Sequence, residues 1–139
     1  MKQSFKILLL VLLFCAAPVL SLAEDAPLQI VDMKAAQNVD EKFQPVNPAE
    51  SFPAATAKVF CWFKWKDGQV NDQIVAKWTY LTEKISILDY KVTLPRHEGS
   101  GGVAMSMPEG KTLPPGLYEI KLTAGGKELK STQFTVLEK

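Results

Sequence analysis

The chain has 139 residues, 47% of them hydrophobic and 22% charged, and a formal net charge of +1. Such a length fits one domain that is large enough to bury a core. The sequence contains no basic run or stripe that would mark a nucleic-acid-binding surface, so we expect no nucleic-acid partner.

The first 23 residues have the layout of a secretory signal. Lys2 and Lys6 supply positive charge, residues 7–19 form an apolar block, and Ser21 and Ala23 are small residues placed before a cleavage site. The apolar block is shorter than the ~20 residues that a permanent transmembrane helix needs. We therefore expect a cleaved signal peptide, no transmembrane anchor after cleavage, and a periplasmic or secreted protein.

Cysteine usage limits the covalent chemistry of the mature chain. Cys15 lies in the expected signal, which leaves Cys61 as the single remaining cysteine. An internal disulfide is then impossible, although an exported protein meets oxidising conditions. We expect Cys61 to be a buried thiol that packs as a small apolar group. The alternatives, an intermolecular disulfide or a reactive thiol, would require it to be exposed.

Residues 24–57 are predicted to hold an N-terminal strand followed by a proline-rich leader. The strand falls in residues 28–36, with inward positions at Leu28, Ile30 and Met33.

Three prolines between residues 45 and 53 then interrupt regular ladders and helices. Two alternatives remain open for this stretch. It forms either an extended segment laid over the domain and pinned by Phe43 and Phe52, or a flexible leader.

Residues 58–139 read as short strands separated by turn signals, which favours an all-β antiparallel sandwich of about seven strands. The predicted strands are Val59 to Lys66, Gln73 to Leu81, Ile85 to Leu94, Val103 to Met107, Leu117 to Ala124 and Lys127 to Leu137. Alternation places Ile74, Ala76, Trp78 and Tyr80 on one face, and likewise Leu88, Tyr90, Val92 and Leu94.

Glycine marks the turns between these strands. Asp67-Gly68 and Gly125-Gly126 are predicted turns, the second closing a hairpin, because glycine accepts the positive φ of tight turns. Residues 96–102 and 108–116 are predicted loops, since glycine and proline dominate them.

Several residues resemble landmarks of the immunoglobulin-like fold. Cys61 lies on an early strand, Trp78 on the next, and Tyr118 two residues before Ile120. In that fold a core tryptophan packs against a pair of cysteines, and a tyrosine two residues before the second cysteine bonds back to the preceding corner. Ile120 stands where the second cysteine would be. The resemblance implies a core of Cys61, Trp78, Tyr118 and Ile120 without a disulfide.

The ending LPPGLYEIKLTAGGKELKSTQFTV is also similar to the closing hairpin of bacterial extracytoplasmic immunoglobulin-like and fibronectin type III-like domains of unknown function. That likeness covers roughly residues 52 to 137 and implies a fold, because such sandwiches carry unrelated functions.

Catalysis has little support in the sequence, so we expect the protein not to be an enzyme. His97 is the single histidine, and pairing it with Cys61 would require a thiolate within an apolar strand. A blue-copper centre needs two histidines. A weak thioether site for cuprous ion, made by His97, Met105 and Met107, stays open as an alternative. We expect no cofactor and no metal site.

The strand VFCWFKWK supplies the candidate binding residues. If its odd-numbered side chains face the core, then Phe60, Trp62 and Lys64 lie on the opposite face. These outward aromatics are either covered by the proline-rich segment or form a partner surface. Lysines beside aromatics suit a protein interface.

We therefore predict an exported, non-catalytic interaction or accessory module. It would bind another envelope protein, or itself, through Phe60, Trp62 and Lys64 or through the loops, which include His97. The alternative is a small-ligand domain, with a carbohydrate stacked on Trp62 or the thioether metal site.

Overall fold

The computed structural model describes residues 26–139, so the expected signal peptide lies outside the described residues. The strands are β1 (Gln29–Val39), β2 (Pro45–Pro48), β3 (Ser51–Phe52), β4 (Lys58–Lys66), β5 (Gln73–Tyr80), β6 (Ile85–Thr93), β7 (Gly99–Ser106), β8 (Gly116–Ala124) and β9 (Lys127–Val136). None of residues 26–139 belongs to a helix that is long and apolar enough to cross a membrane.

The strands form two sheets, with the orders β2-β1-β4-β7 and β3-β9-β8-β5-β6. All neighbours pair antiparallel except β3, which runs parallel to β9. The predicted all-β sandwich is confirmed. The two short strands β2 and β3 raise the strand number above the predicted seven.

The segment before residue 58 is part of the sandwich, so the flexible-leader alternative does not hold for its described part. β1 pairs with β4, and a bulge between Ile30 and Asp32 lets Ile30 and Met33 both face inward although they are three residues apart. Phe52 is buried, and its ring centre lies 5.6 Å from that of Phe134. Phe43 does not pin the segment as predicted, because its side chain is 53% exposed.

The two predicted turns have different outcomes. Gly125 and Gly126 have φ values of 58° and 80° and close the β8–β9 hairpin, as predicted. Asp67 and Gly68 do not close a hairpin, since β4 and β5 belong to different sheets. There Asp67 adopts the positive φ of 57°.

The glycine-rich stretch predicted as a loop at 96–102 is partly strand, because β7 begins at Gly99. A side chain at Gly99 or Gly101 would meet the ring of Trp65, at 3.1 Å and 3.7 Å from the added Cβ. The Trp65 ring thus occupies the space that a side chain at Gly99 would need, whereas a Cβ at Gly101 would make an ordinary contact with the ring.

The core lies between the sheets and is rich in aromatic rings. Tyr118 and Phe134 stack with ring centres 4.9 Å apart, and the edge of Trp78 faces Phe134 at 6.3 Å. The inward face predicted for β5 is buried: Ile74, Ala76, Trp78 and Tyr80. The face predicted for β6 is only partly buried, with Tyr90 49% exposed, because β6 is an edge strand with one neighbour.

Candidate binding face on the first sheet

The site centres on β4, whose side chains alternate between the core and the outer face of the first sheet. Val59, Cys61, Phe63 and Trp65 face inward and are buried. Trp62, on the outer face, is also only 4% exposed. An outward ring in the middle of a sheet needs a cover to reach such burial, and this cover is the β1–β2 connection.

The covering loop, residues 40–44, is attached to β4 and β7 through one carbonyl group. Trp62 Nε1 donates a hydrogen bond to the Phe43 carbonyl oxygen at 2.6 Å, and Ser100 Oγ donates to the same oxygen at 3.0 Å. The sequence left open whether the proline-rich segment covers this face or leaves it free. The structure shows a cover, made by the backbone of Phe43.

Asp40 organises the covering loop. Its Oδ1 accepts hydrogen bonds from the backbone N–H groups of Lys42 and Gln44, each at 2.9 Å, and its carbonyl oxygen accepts one from the N–H of Phe43 at 3.0 Å. An aspartate that bonds to the backbone a few residues ahead is a common way to fix a tight turn. The loop is therefore held in shape locally as well as by Trp62.

Phe43 is held in an unfavourable backbone conformation with its ring in solvent. Its φ is 57°, in the left-handed region that costs a non-glycine residue ~1–2 kcal/mol. Its side chain is 53% exposed. Packing in the described domain thus does not explain why phenylalanine occupies this position. Backbone strain of this kind supports a hypothesis of function when a contact residue sits there.

Gly102 of β7 lies beneath the same covering loop. A Cβ at this position would lie 2.9 Å from Val39 Cγ2 and 3.3 Å from the Cys61 carbonyl oxygen. The first distance is too short for ordinary contact, so a larger residue would displace Val39, the last residue of β1. The absence of a side chain at position 102 lets the end of β1 approach β7.

Lysines surround these aromatic residues. Lys34 Nζ lies 6.0 Å from the centre of the Trp62 ring, and Lys58 Nζ lies 4.8 Å from the centre of the partly buried Phe60 ring. Lys64 is exposed on the same face of β4. We call this surface the lysine–aromatic face and define it by Lys34, Phe43, Lys58, Phe60 and Lys64, with Trp62 beneath.

Cys61 lies on the inner side of the same strand and is fully buried. Burial raises the pKa of its thiol to about 12, so the reactive thiolate is disfavoured at neutral pH. His97 is exposed on the connection between β6 and β7, where its Nδ1 lies 2.8 Å from the Gly68 carbonyl oxygen. The structure thus does not present Cys61 and His97 to a shared solvent-facing site.

Two tyrosines tie the 108–116 connection to the sandwich. The Tyr118 hydroxyl donates to the Pro114 carbonyl oxygen at 2.6 Å, and the Tyr80 hydroxyl donates to that of Pro115 at 2.6 Å. Burial, with a smaller contribution from Tyr80, raises the pKa of Tyr118 to about 12. The bond of Tyr118 back to the preceding corner is the one that the resemblance implied. Trp78 and Ile120 are direct cross-strand partners, and both are buried.

Nothing in the described residues assembles the alternative ligand sites. Met105 is 3% exposed and belongs to the core, so its sulfur does not line an open site with His97. Within residues 26–139 no group of three or more His, Cys, Asp or Glu side chains is placed to hold a metal ion. Trp62 is 4% exposed, so its ring presents no open face on which a sugar could stack.

Alternation in the sequence placed Phe60, Trp62 and Lys64 on one face of β4, as the structure has them, but it did not predict the loop that covers Trp62. Asp40 is followed by four residues and then Pro45, and this arrangement is a recognisable turn signal in the sequence. No local pattern showed that the Phe43 carbonyl would meet Trp62 and Ser100, which lie 19 and 57 residues further along the chain.

Fold and core together define an immunoglobulin-like β-sandwich. The chain is similar to the solved structure of an immunoglobulin-like protein from Pseudomonas aeruginosa, with 12% identity, a TM-score of 0.56, and coverage of 81% of this chain and 98% of that one. No protein-family model matches the sequence, and a search of curated proteins gives no match either.

Two further solved structures show weaker likeness. The alkylpurine DNA glycosylase AlkC of Pseudomonas fluorescens has 8% identity and a TM-score of 0.48, over 81% of this chain and 31% of that one. A CARDB domain from Pyrococcus furiosus, solved with di-metal ions, has 13% identity and a TM-score of 0.44, over 81% and 94%.

Proposed function

We propose that the protein is an exported, non-catalytic interaction module that binds another envelope protein through the lysine–aromatic face. The observation that carries this proposal is Phe43, which keeps a positive φ of 57° and a ring that is 53% exposed. An exposed aromatic side chain on a well-held loop is a residue type enriched in protein interfaces.

Charge on this face suggests the chemistry of the partner. Lys34, Lys58 and Lys64 are exposed around the aromatic rings. Asp32, opposite Lys64 in the register, forms an ion pair with Lys34 at 3.7 Å, so the net positive charge of this face comes mainly from Lys58 and Lys64. An acidic partner surface with an apolar centre would complement this arrangement and would be steered toward it. Because the ring of Trp62 is covered, the contact is made by Phe43, Phe60 and the lysines.

Export supports the same proposal from the sequence side. The signal-like N-terminus predicts a location in the envelope or outside the cell, where small β-sandwich domains commonly serve as binding units. No catalytic step is proposed, since the buried Cys61 thiol and the exposed His97 do not share a site.

In-cell photocrosslinking tests this proposal. A benzoylphenylalanine placed at position 43 should crosslink to one defined envelope protein, and the same group at the exposed Lys127 in the β8–β9 hairpin should not. The double variant Lys58→Glu and Lys64→Glu should lower the yield at position 43 by ~10-fold or more, because it reverses two charges that face the partner. Equal yields at positions 43 and 127 would refute the proposal.

A further inference from the structure

The open edge of the second sheet carries an unusual share of exposed apolar side chains. β6 hydrogen-bonds to β5 alone, so its other edge has no partner in the described chain. Ile85, Ile87 and Tyr90 on this strand are 49%, 42% and 49% exposed. An edge strand with unpaired backbone groups and apolar side chains is a template for another strand.

The direction of the backbone groups of β6 follows from Leu94, just beyond its end. Leu94 N–H donates to the Asp72 carbonyl oxygen at 2.8 Å, and Asn71 N–H donates to the Leu94 carbonyl oxygen at 2.9 Å. The backbone groups of Leu94 therefore point toward the β5 side. Because this direction alternates along a strand, Asp89 and Lys91 direct their N–H and C=O groups to the open edge.

We propose that two copies of this chain associate by pairing β6 with β6, antiparallel about a two-fold axis at Tyr90. In this register Asp89 of each copy lies directly opposite Lys91 of the other copy, and the two Tyr90 side chains face each other. The paired Asp89 and Lys91 positions are those whose backbone groups point outward, so each pair exchanges both of its backbone hydrogen bonds. The sheets of the two copies become continuous.

The sequence of β6 selects this register over its neighbours. Slipping the strands by two residues places Asp89 opposite Asp89 or Lys91 opposite Lys91, which is unfavourable for directly opposed charges. Slipping by one residue sets an outward backbone group against one that points back to β5, so the ladder fails. The order of charges along β6 and the direction of its backbone groups thus both favour pairing about Tyr90.

The same register explains the exposed ring on β6. Tyr90 occupies a position without ladder bonds, where facing Cα atoms come within about 4.5 Å and side chains approach closely. Two rings that are each half exposed in the single copy would then cover one another. A bulge at residue 87, between the pairs formed by Ser86 and Leu88, interrupts the ladder there, so the regular pairing covers Tyr90 and leaves Ile85 and Ile87 at its margin.

This association goes beyond the proposed function, because it uses the second sheet and leaves the lysine–aromatic face free. Failure of one proposal therefore does not decide the other. A dimer through β6 would present two copies of that face, which strengthens binding to a partner with two sites.

Charge variants provide the first test, with mass measured by sedimentation over a range of protein concentrations. The unaltered protein should reach twice the monomer mass. Asp89→Lys and Lys91→Asp should each weaken association by ~10-fold or more, because each variant opposes like charges twice. An equimolar mixture of the two variants should restore the dimer as a mixed pair. The control Lys127→Asp should dimerise like the unaltered protein.

A thiol at the axis provides the second test. Tyr90→Cys should form an intermolecular disulfide faster than Lys130→Cys, which places an exposed thiol on β9, separated from β6 by two strands of the same sheet. Cys61 is fully buried and does not compete. The proposal is overturned if the unaltered protein stays a monomer at all concentrations, if the mixed variants do not associate, or if the two thiols crosslink at equal rates.

Discussion

Each face of β4 carries a buried tryptophan, Trp65 on the inner face and Trp62 on the outer face, but the two are buried by different means. On the inner face Cys61 and Phe63 are fully buried beneath the second sheet. On the outer face Trp62 is 4% exposed because one short loop lies over it, attached through the Phe43 carbonyl oxygen. The burial of the inner face rests on contacts among many side chains, whereas the burial of Trp62 depends on a few hydrogen bonds.

The two kinds of burial differ in how easily they open. A face held by many apolar contacts opens only when the domain unfolds, whereas a face held by a few bonds opens locally at lower free energy. The inner face therefore sets the stability of the sandwich. The cover of Trp62 on the outer face can open while the sandwich stays folded, and the following experiments compare the two faces directly.

The largest expected effect is at Trp78 in the core. Trp78→Ala should lower the free energy of unfolding by ~3–5 kcal/mol, because it deletes a large buried ring. Trp78→Phe should cost less, since it keeps a ring and removes an indole N–H that has no hydrogen-bond partner within residues 26–139. Urea unfolding measures both values. A loss below ~1 kcal/mol for Trp78→Ala would contradict the assigned core.

The inner face should also respond to alkaline pH through Cys61. Burial raises the pKa of its thiol from 9.0 to about 12, so the folded state keeps a proton that the unfolded state has lost between these values. The contribution of the thiol is complete below pH 9 and falls by up to ~1.4 kcal/mol per pH unit above it.

Cys61→Ala isolates this contribution, because the two proteins differ in this ionisable group alone. Unfolding free energies measured between pH 8 and pH 11 should fall more steeply for the unaltered protein than for the variant. Parallel curves would mean that the thiol is not buried as described.

A change on the outer face of β4 should lower the free energy of unfolding less than a matched change on the inner face. Trp62→Phe removes the hydrogen bond to the Phe43 carbonyl oxygen and should cost ~0.5–1.5 kcal/mol, since that oxygen still accepts a bond from Ser100. Trp65→Phe is the matched inner change, because Trp65 Nε1 donates to the Arg96 carbonyl oxygen at 3.1 Å. Urea unfolding should show a larger loss for Trp65→Phe, and the reverse order would refute the comparison.

The smallest expected effect on stability is at Gly102. Gly102→Ala should displace Val39 and the covering loop, raise the quenching of tryptophan fluorescence by acrylamide, and cost less than ~1 kcal/mol.

Gly101→Ala is the control for this change, because its Cβ would meet the Trp65 ring at an ordinary distance of 3.7 Å. If both variants were quenched like the unaltered protein, the covering loop would not depend on the space at residue 102.

Much of the fold could be predicted because alternation acts locally. The inward face of β5 and the β8–β9 hairpin with Gly125 and Gly126 follow from period-two patterning and from the positive φ that glycine accepts. The connection at Asp67 could not be predicted in this way. A turn between two strands that pair with each other uses the same residue types as a turn between strands of different sheets.

The candidate face could likewise be predicted from the sequence only in part. Alternation along β4 placed Phe60, Trp62 and Lys64 outside the core, since side-chain direction is a property of the strand itself. Whether those rings were free or covered depended on Phe43, which the sequence assigned as an apolar anchor. The structure uses its carbonyl group, and a backbone group carries no residue-type signal in the sequence.

The sequence by itself determined the class of fold, the division of β4 into two opposite faces and the inward face of β5, because these follow from the local alternation of side chains along a strand. Only the tertiary structure decided that the loop organised by Asp40 covers Trp62, that Phe43 points into solvent, and that β6 is left at an edge. Each of these depends on contacts between segments far apart in the chain, and such contacts are set by the packing of whole sheets.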